Sequence, residues 1–211
     1  MKKDVSIFLF VTWPYFFNDL WLIYLQNDNL ALLWTLDIVT YFLIPSISLL
    51  YLLKKKIINL NNIGVVYPIK IRNILIGILL CIVLLISIHF YIEPWFFNWF
   101  PEQLFYGYSF PETKILNTVT IIYASLTAGV LEEIIFRGLL IFLLFKYIKS
   151  VPAVVILSSF IFSLIHWSQG VGQVLTTFVW AIVPAIWYIK SKQIWGLIVC
   201  HFIYNFIIFS M

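Results

Sequence analysis

Long apolar runs, separated by short polar or basic breaks, dominate this chain of 211 residues. Each run is about 17–30 residues long, which suits a helix crossing a bilayer and exceeds the roughly ten-residue strands of a membrane barrel. The pattern predicts an all-α polytopic membrane protein of about seven transmembrane helices, in a single domain spanning residues 1–211. The predicted helices begin near Val5, Leu30, Asn73, Lys114, Val151, Gln173 and Ile194.

The breaks between the runs differ in character. Residues 54–72 form a connector interrupted by Gly64 and Pro68. Residues 93–113 are rich in aromatic residues and contain prolines, which indicates a loop in the headgroup region. A turn is expected over residues 168–172. Taken as one helix, residues 113–150 would measure about 50 Å, so this helix must tilt, kink near Gly138 or protrude.

Basic residues lie almost entirely in alternate breaks, and cytoplasmic loops are enriched in Lys and Arg. With seven spans, this distribution predicts a cytoplasmic N-terminus, an outside C-terminus and residence in the cell membrane. The Ile, Lys and Asn usage suggests a bacterial plasma membrane. The cytoplasmic set is Lys2, Lys3, Lys54, Lys55, Lys56, Lys70, Arg72, Lys146, Lys149, Lys190 and Lys192, whereas Lys114 falls outside and Arg137 within the membrane.

Composition supports a membrane protein and excludes several other classes. The chain is 63% hydrophobic and 10% charged, with a mean hydropathy of +1.02, against roughly 25% charged residues in soluble domains. We interpret the formal net charge of +4 as a topology signal rather than a nucleic-acid-binding patch. Cys81 and Cys200 fall inside predicted spans without metal-type spacing, so they predict packing residues and no disulfide framework.

The stretch 129–140, GVLEEIIFRGLL, places three ionisable residues inside an apolar run. Such residues in a span are costly and therefore indicate a functional site. Residues four apart are neighbours on a helix, so Glu133 can reach Arg137. Glu132 is rotated by about 100° from Glu133. We therefore predict that Glu133 and Arg137 form a buried pair and that Glu132 faces a polar cavity.

Two later helices carry further polar groups, in the sequences FSLIH, with Phe162 and His166, and HFIYN, with His201 and Asn205. Helical rise places Glu132 and His166 each about 21 Å from the cytoplasmic end of their spans, and His201 and Asn205 about 16 and 22 Å. The four side chains can therefore meet at one level within the bilayer.

The three motifs EEIIFR, FSLIH and HFIYN fit Glu-Glu-x-x-x-Arg, Phe-x-x-x-His and His-x-x-x-Asn. Their order and their placement on separate helices resemble the CPBP family of intramembrane proteases, also called the CAAX-protease and bacteriocin-processing or abortive-infection family. The resemblance covers about residues 113–211, the expected protease core. It implies an intramembrane endopeptidase that hydrolyses a peptide bond of a membrane-associated peptide or protein in the lipid bilayer.

The resemblance also implies roles for individual residues. Glu132 with His166 would activate the attacking water, and His201 with Asn205 would stabilise the oxyanion of the tetrahedral intermediate. Bacterial relatives are tied to peptide maturation, quorum signalling and bacteriocin self-immunity, so a prenylated substrate is not expected. The supporting residues would be Glu133, Arg137 and Phe162.

Simpler interpretations of the same residues stay open at this point. In one, the carboxylates serve only as an ion pair with Arg137 beside a neutral carboxyl. In another, the histidines only form hydrogen bonds between helices. No cofactor is expected, but Glu132, His166 and His201 would suffice for a zinc site with one open position. Against a metal, the helical His-Glu-x-x-His arrangement is absent.

Two other function classes compete with the peptidase. One is a non-catalytic bacteriocin self-immunity or membrane scaffold protein of the same fold. The other is an ion-coupled transporter, which usually has broken helices in paired positions and an internal repeat. The sequence shows neither of these features.

Overall fold

A computed structural model describes residues 2–25, 29–66, 68–103 and 110–211, and within these ranges the chain is helical without a β-strand. Short 3₁₀ turns at Asn61–Ile63 and Leu164–Gln169 interrupt the longer helices. The helices are α1 Lys2–Leu25, α2 Leu30–Lys54, α3 Ile71–Trp99, α4 residues 114–144, α5 Val151–Ser163, α6 Gly170–Ser191 and α7 Trp195–Ser210.

Four helical stretches of the described residues are long and apolar enough to cross a membrane. They are α1, α2, α3 and Val151–Ser191, which comprises α5 and α6. Helix α7 is apolar but shorter. Large apolar side chains point outward from these helices, and Leu75 and Leu79 of α3 are each 60% exposed. The predicted number of seven spans and the orientation of the termini stay predictions.

Helices α2, α3 and α4 each contain a wide turn with i→i+5 hydrogen bonds, a rare π-helical geometry that is frequent at functional sites. The turn in α4 covers Ala128–Leu139 and closes with a bond from the N–H of Leu140 to the carbonyl of Ile135. It holds both glutamates and the arginine of the EEIIFR motif in buried positions. The other two wide turns are Ile38–Leu43 and Leu85–Ile92.

The predicted loop at 93–113 is wrong at its start. Helix α3 continues to Trp99, because the wide turn at Leu85–Ile92 leads directly into the helical segment Glu93–Trp99, which has Pro94 near its start. The Oε2 atom of Glu93 lies 2.8 Å from Nδ1 of His89, one helical turn earlier. Residues 104–109 of the predicted loop lie outside the described residues.

The ends of two other helices also differ from the prediction. Helix α4 stops at Leu144 rather than continuing to residue 150. Helix α5 stops at Ser163, and the chain turns over Leu164–Gln169, earlier than the predicted turn at 168–172. Gly170 has a φ of +86°, which glycine adopts without a steric penalty. His166 therefore lies in the turn rather than on a regular helix.

Contacts at the basic ends of the helices join distant parts of the chain. The Nζ atom of Lys146 lies 2.6 Å from Oδ1 of Asp4, which connects the end of α4 to the start of α1. The backbone N–H of Ile194 donates to the carbonyl of Gly64 at 3.1 Å, so the α6–α7 and α2–α3 connectors pack together. These contacts group segments that the charge pattern predicts on one side of the membrane.

Helices α3 and α7 pack closely because glycines face each other at their contact. A Cβ atom on Gly77 would overlap the backbone of Gly196, and one on Gly196 would overlap the carbonyl of Asn73. Small residues of this kind allow helix backbones in membranes to approach each other. Because α7 carries His201 and Asn205, this contact also fixes the position of the last motif.

We expect Gly77→Ala to lower the free energy of unfolding by about 1–3 kcal/mol, because the added methyl group forces α3 and α7 apart. Thermal unfolding in detergent micelles measures the change. Ala153→Val, which adds carbon at an exposed position of α5, is the control and should leave the midpoint unchanged. An unchanged midpoint for Gly77→Ala would contradict the close contact.

Candidate active site

A cavity of about 560 Å³ lies between the helices, and Glu132, His166, His201 and Asn205 all line it. The structure thus brings the four predicted site residues to one place, from α4, the 3₁₀ turn and α7. Helices α1, α2 and α3 contribute further polar side chains to the wall. These are Asp19, Asp37, Tyr41 and Glu93.

Both glutamates of α4 lie close to the His201 ring. The Oε1 atom of Glu133 lies 2.8 Å from Nδ1 of His201, within hydrogen-bond distance. The Oε2 atom of Glu132 lies 3.8 Å from Nε2 of the same ring. The two nitrogens of one imidazole therefore face two different carboxylates, and the Glu133 contact fixes the ring orientation.

Arg137 is buried between an acidic and an aromatic partner. Its Nε atom lies 3.5 Å from Oε2 of Glu133, so the predicted pair is present in the structure. Its guanidinium carbon lies 3.9 Å from the centre of the Phe162 ring and 5.5 Å from that of Trp180. Guanidinium groups are attracted to the faces of aromatic rings, most strongly where water is excluded. Phe162 of the second motif is therefore a packing partner of Arg137.

His166 owes its position to a turn that α1 holds in place. The backbone of His166 departs from helical geometry, with φ −100° and ψ 19°. Two residues later, the hydroxyl of Ser168 donates to Oδ2 of Asp19 at 2.5 Å. The indole Nε1 of Trp167 donates to the carbonyl of Phe16 at 3.1 Å. These two bonds to α1 hold the residues that directly follow His166, and His166 itself lines the cavity.

Asn205 lines the cavity one helical turn beyond His201. Its side chain makes no hydrogen bond with another residue in the part of the chain that the structure describes. The amide is therefore available to a bound molecule.

Asp37 makes polar contacts with two neighbouring helices. The amide of Asn18 in α1 lies 3.5 Å from Oδ1, and the hydroxyl of Tyr123 in α4 lies 3.3 Å from Oδ2. Asp37 thus joins α1, α2 and α4 beside the cavity.

Sequence reasoning missed several residues that complete this site. Trp180 of α6 lies 4.9 Å from the His201 ring, measured between ring centres, and also covers Arg137. Tyr41 of α2 donates a hydrogen bond from its hydroxyl to Glu132. No spacing pattern in the sequence marks either residue as part of a site, because each is a single aromatic residue in an apolar run. Asp19 could have been identified from the sequence, because a carboxylate within a predicted membrane span indicates a functional site.

The described residues leave the zinc site considered from the sequence as a prediction. Among them, no group of three His, Cys, Asp or Glu side chains is arranged to hold a metal ion. The donor nitrogen of His201 nearest to Glu133 is already in hydrogen-bond contact with that carboxylate. The simpler interpretation of the histidines was hydrogen bonding between helices. The contact between His201 of α7 and Glu133 of α4 is of this kind.

Residues 114–207 match the family model of type II CAAX prenyl endopeptidase Rce1-like proteins. The match spans α4 to most of α7 and contains all three motifs, and that family is the CPBP family. Over these residues the chain is similar to the CPBP family. Its members are classed as intramembrane proteases of the CAAX type. Comparisons with curated proteins and with solved structures give no match.

The CPBP match does not extend to α1, α2 and α3, which supply Asp19, Asp37, Tyr41 and Glu93 to the cavity. The residues of the three motifs all fall within the matched part. The site of this chain thus combines a family core with contributions from helices outside it.

Ser168→Ala should lower the free energy of unfolding by about 1–3 kcal/mol, because it leaves the buried carboxylate of Asp19 without this hydroxyl donor. Denaturant-induced unfolding in detergent measures the loss. Ser159→Ala provides a matched control, since the Ser159 hydroxyl is buried without a hydrogen-bond partner among the described residues. Equal stabilities of the two variants would show that the Asp19 bond does not anchor the turn.

Proposed function

We propose that this protein is an intramembrane endopeptidase that hydrolyses a peptide bond of a membrane-associated peptide or protein. The observation that carries the proposal is the meeting of Glu132, His166, His201 and Asn205 at one cavity. Similarity to the CPBP family over residues 114–207 supports it independently. A cavity of about 560 Å³ has room for a short stretch of extended peptide with a water molecule.

In the proposed reaction, Glu132 acts as the general base. Its Oε2 atom has no hydrogen-bond partner among the described residues and belongs to a side chain that lines the cavity. Together with His166, it holds a water and removes one proton as the water oxygen attacks the scissile carbonyl. The carbonyl π electrons move to oxygen and form the tetrahedral oxyanion. Its collapse breaks the C–N bond, and the proton passes to the leaving amine.

His201 and Asn205 are proposed to stabilise the oxyanion. A neutral His201 that donates from Nδ1 to Glu133 has only a lone pair at Nε2, so stabilisation by this ring requires both nitrogens to be protonated. Such an imidazolium, with Arg137, would balance the two carboxylates of Glu132 and Glu133. The amide of Asn205 adds a neutral donor from one turn along the same helix.

Glu133, Arg137 and Phe162 are proposed to support the reacting groups without touching substrate. Glu133 orients the His201 ring through its contact with Nδ1, as carboxylates do for catalytic histidines. Arg137 neutralises Glu133, and Phe162 covers the guanidinium. Each of these contacts removes a cost of burying charge in a medium of low dielectric constant.

Glu132→Gln should abolish cleavage, because the amide keeps the shape of the side chain but cannot accept a proton. We expect the rate to fall by at least about 10²-fold, the lower range for loss of a general base. The measurement compares the membrane peptides of cells carrying the wild type and the variant, and the substrate is the peptide that accumulates uncleaved in the variant.

Glu112→Gln is the control for this comparison, because Glu112 is exposed and precedes α4. It should give the wild-type peptide profile. Full cleavage by Glu132→Gln would overturn the mechanism. If self-immunity in the host survived this substitution, the chain would act as a non-catalytic protein of the same fold.

We further propose that the chain spans a bacterial plasma membrane seven times, with a cytoplasmic N-terminus. The contact between Lys146 and Asp4 supports this topology, because both residues then lie on the cytoplasmic side. The contact between Ile194 and Gly64 does so for the two connectors.

Single cysteines introduced into the connectors test the topology. In intact cells, a membrane-impermeant maleimide should label Glu112→Cys and should label Asn61→Cys only after permeabilisation. The native Cys81 and Cys200 are buried and should not react. Labelling of Asn61→Cys in intact cells, with Glu112→Cys protected, would reverse the proposed orientation.

A further inference from the structure

The proposed mechanism uses residues from α4, the 3₁₀ turn and α7, but another helix also contacts its general base. The phenol hydroxyl of Tyr41 in α2 donates a hydrogen bond to Oε1 of Glu132. Tyr41 lies on the cavity wall beside that carboxylate. It also lies outside residues 114–207, the part that matches the family.

The surroundings of Tyr41 fix its ring at this position. The ring of Tyr15 packs edge-on against it, with ring centres 4.4 Å apart. The Tyr15 hydroxyl donates to the backbone carbonyl of Tyr41 at 3.3 Å. Tyr15 is 1% exposed and also packs edge-on against Phe136 of α4, with ring centres 5.8 Å apart. Tyr15 of α1 thus holds Tyr41 against the helix that carries Glu132.

The backbone around Tyr41 also has an unusual geometry. Tyr41 lies within the wide turn Ile38–Leu43, which faces the wide turn of α4 through the contact with Glu132. Two such turns meeting at one carboxylate are consistent with the concentration of π-helical geometry at functional sites.

The two oxygens of Glu132 consequently have different environments. Oε1 accepts from Tyr41, whereas Oε2 lies 3.8 Å from Nε2 of His201 and has no hydrogen-bond partner among the described residues. A carboxylate held through one oxygen cannot rotate freely, so its second oxygen keeps a fixed direction. A general base needs this fixed direction to meet the proton that it removes.

We propose that Tyr41 is a positioning residue for Glu132, which holds Oε1 by its hydroxyl so that Oε2 acts on the water. The inference rests on the proposed peptidase function. It assigns to α2 a part in the reaction that the three motifs do not contain. Tyr41 does not exchange a proton with substrate in this role.

Tyr41→Phe tests the proposal because it removes only the hydroxyl and keeps the ring packed against Tyr15. The full chain is purified into lipid vesicles and assayed with a quenched-fluorescent peptide library. We expect kcat to fall by about 10- to 100-fold, within the range for a misplaced catalytic group, and KM to change by less than about two-fold. Tyr188→Phe is the matched control, since it removes a tyrosine hydroxyl from the distant core and should keep wild-type kinetics.

Infrared difference spectroscopy gives a second measurement that does not depend on substrate. The carboxyl band that disappears in Glu132→Gln belongs to Glu132, and it should shift in Tyr41→Phe but not in Tyr188→Phe. Melting temperatures of all variants establish that the proteins are folded.

Wild-type kcat in Tyr41→Phe, or an unshifted Glu132 band, would overturn the positioning role. A shifted band combined with a wild type that cleaves no peptide would support the contact and contradict the peptidase function. Failure of the inference is therefore distinguishable from failure of the function on which it rests.

Discussion

The structure depends on the neutralisation of charge among buried side chains. Glu132, Glu133 and Arg137 lie side by side in the middle of α4, where an uncompensated charge is costly. Partners from three other helices offset that cost: His201 of α7, and the rings of Phe162 and Trp180 that enclose the guanidinium. Because no single helix carries all of these groups, the helices must pack in one arrangement to bury them.

The same arrangement gives the cavity its chemical asymmetry. Glu133 contacts Arg137 and His201. Glu132 contacts Tyr41 and lines the cavity. Two adjacent carboxylates thus have different neighbours. Both glutamates lie in the wide turn Ala128–Leu139. The close packing of Gly77 against Gly196 sets the position of α7, the helix that carries His201.

The first helices complete the site rather than merely enclosing it. Helix α1 holds the turn with His166 through Asp19 and Phe16, and it supports Tyr41 through Tyr15. These contacts lie outside the part of the chain that matches the family. The part of the chain that matches the family is therefore held in place by helices outside the match, which also form part of the cavity wall.

The sequence by itself determined the helical class, the three motifs and their common level, because apolar run length and helical rise depend only on residues near each other in the chain. Spacing of four residues also predicted the pair Glu133–Arg137. Only the tertiary structure decided that Glu133 contacts His201, that Tyr41 contacts Glu132, and where the turn with His166 begins. Those features arise from contacts between helices far apart in sequence, and the helix ends follow tertiary packing that no local pattern records.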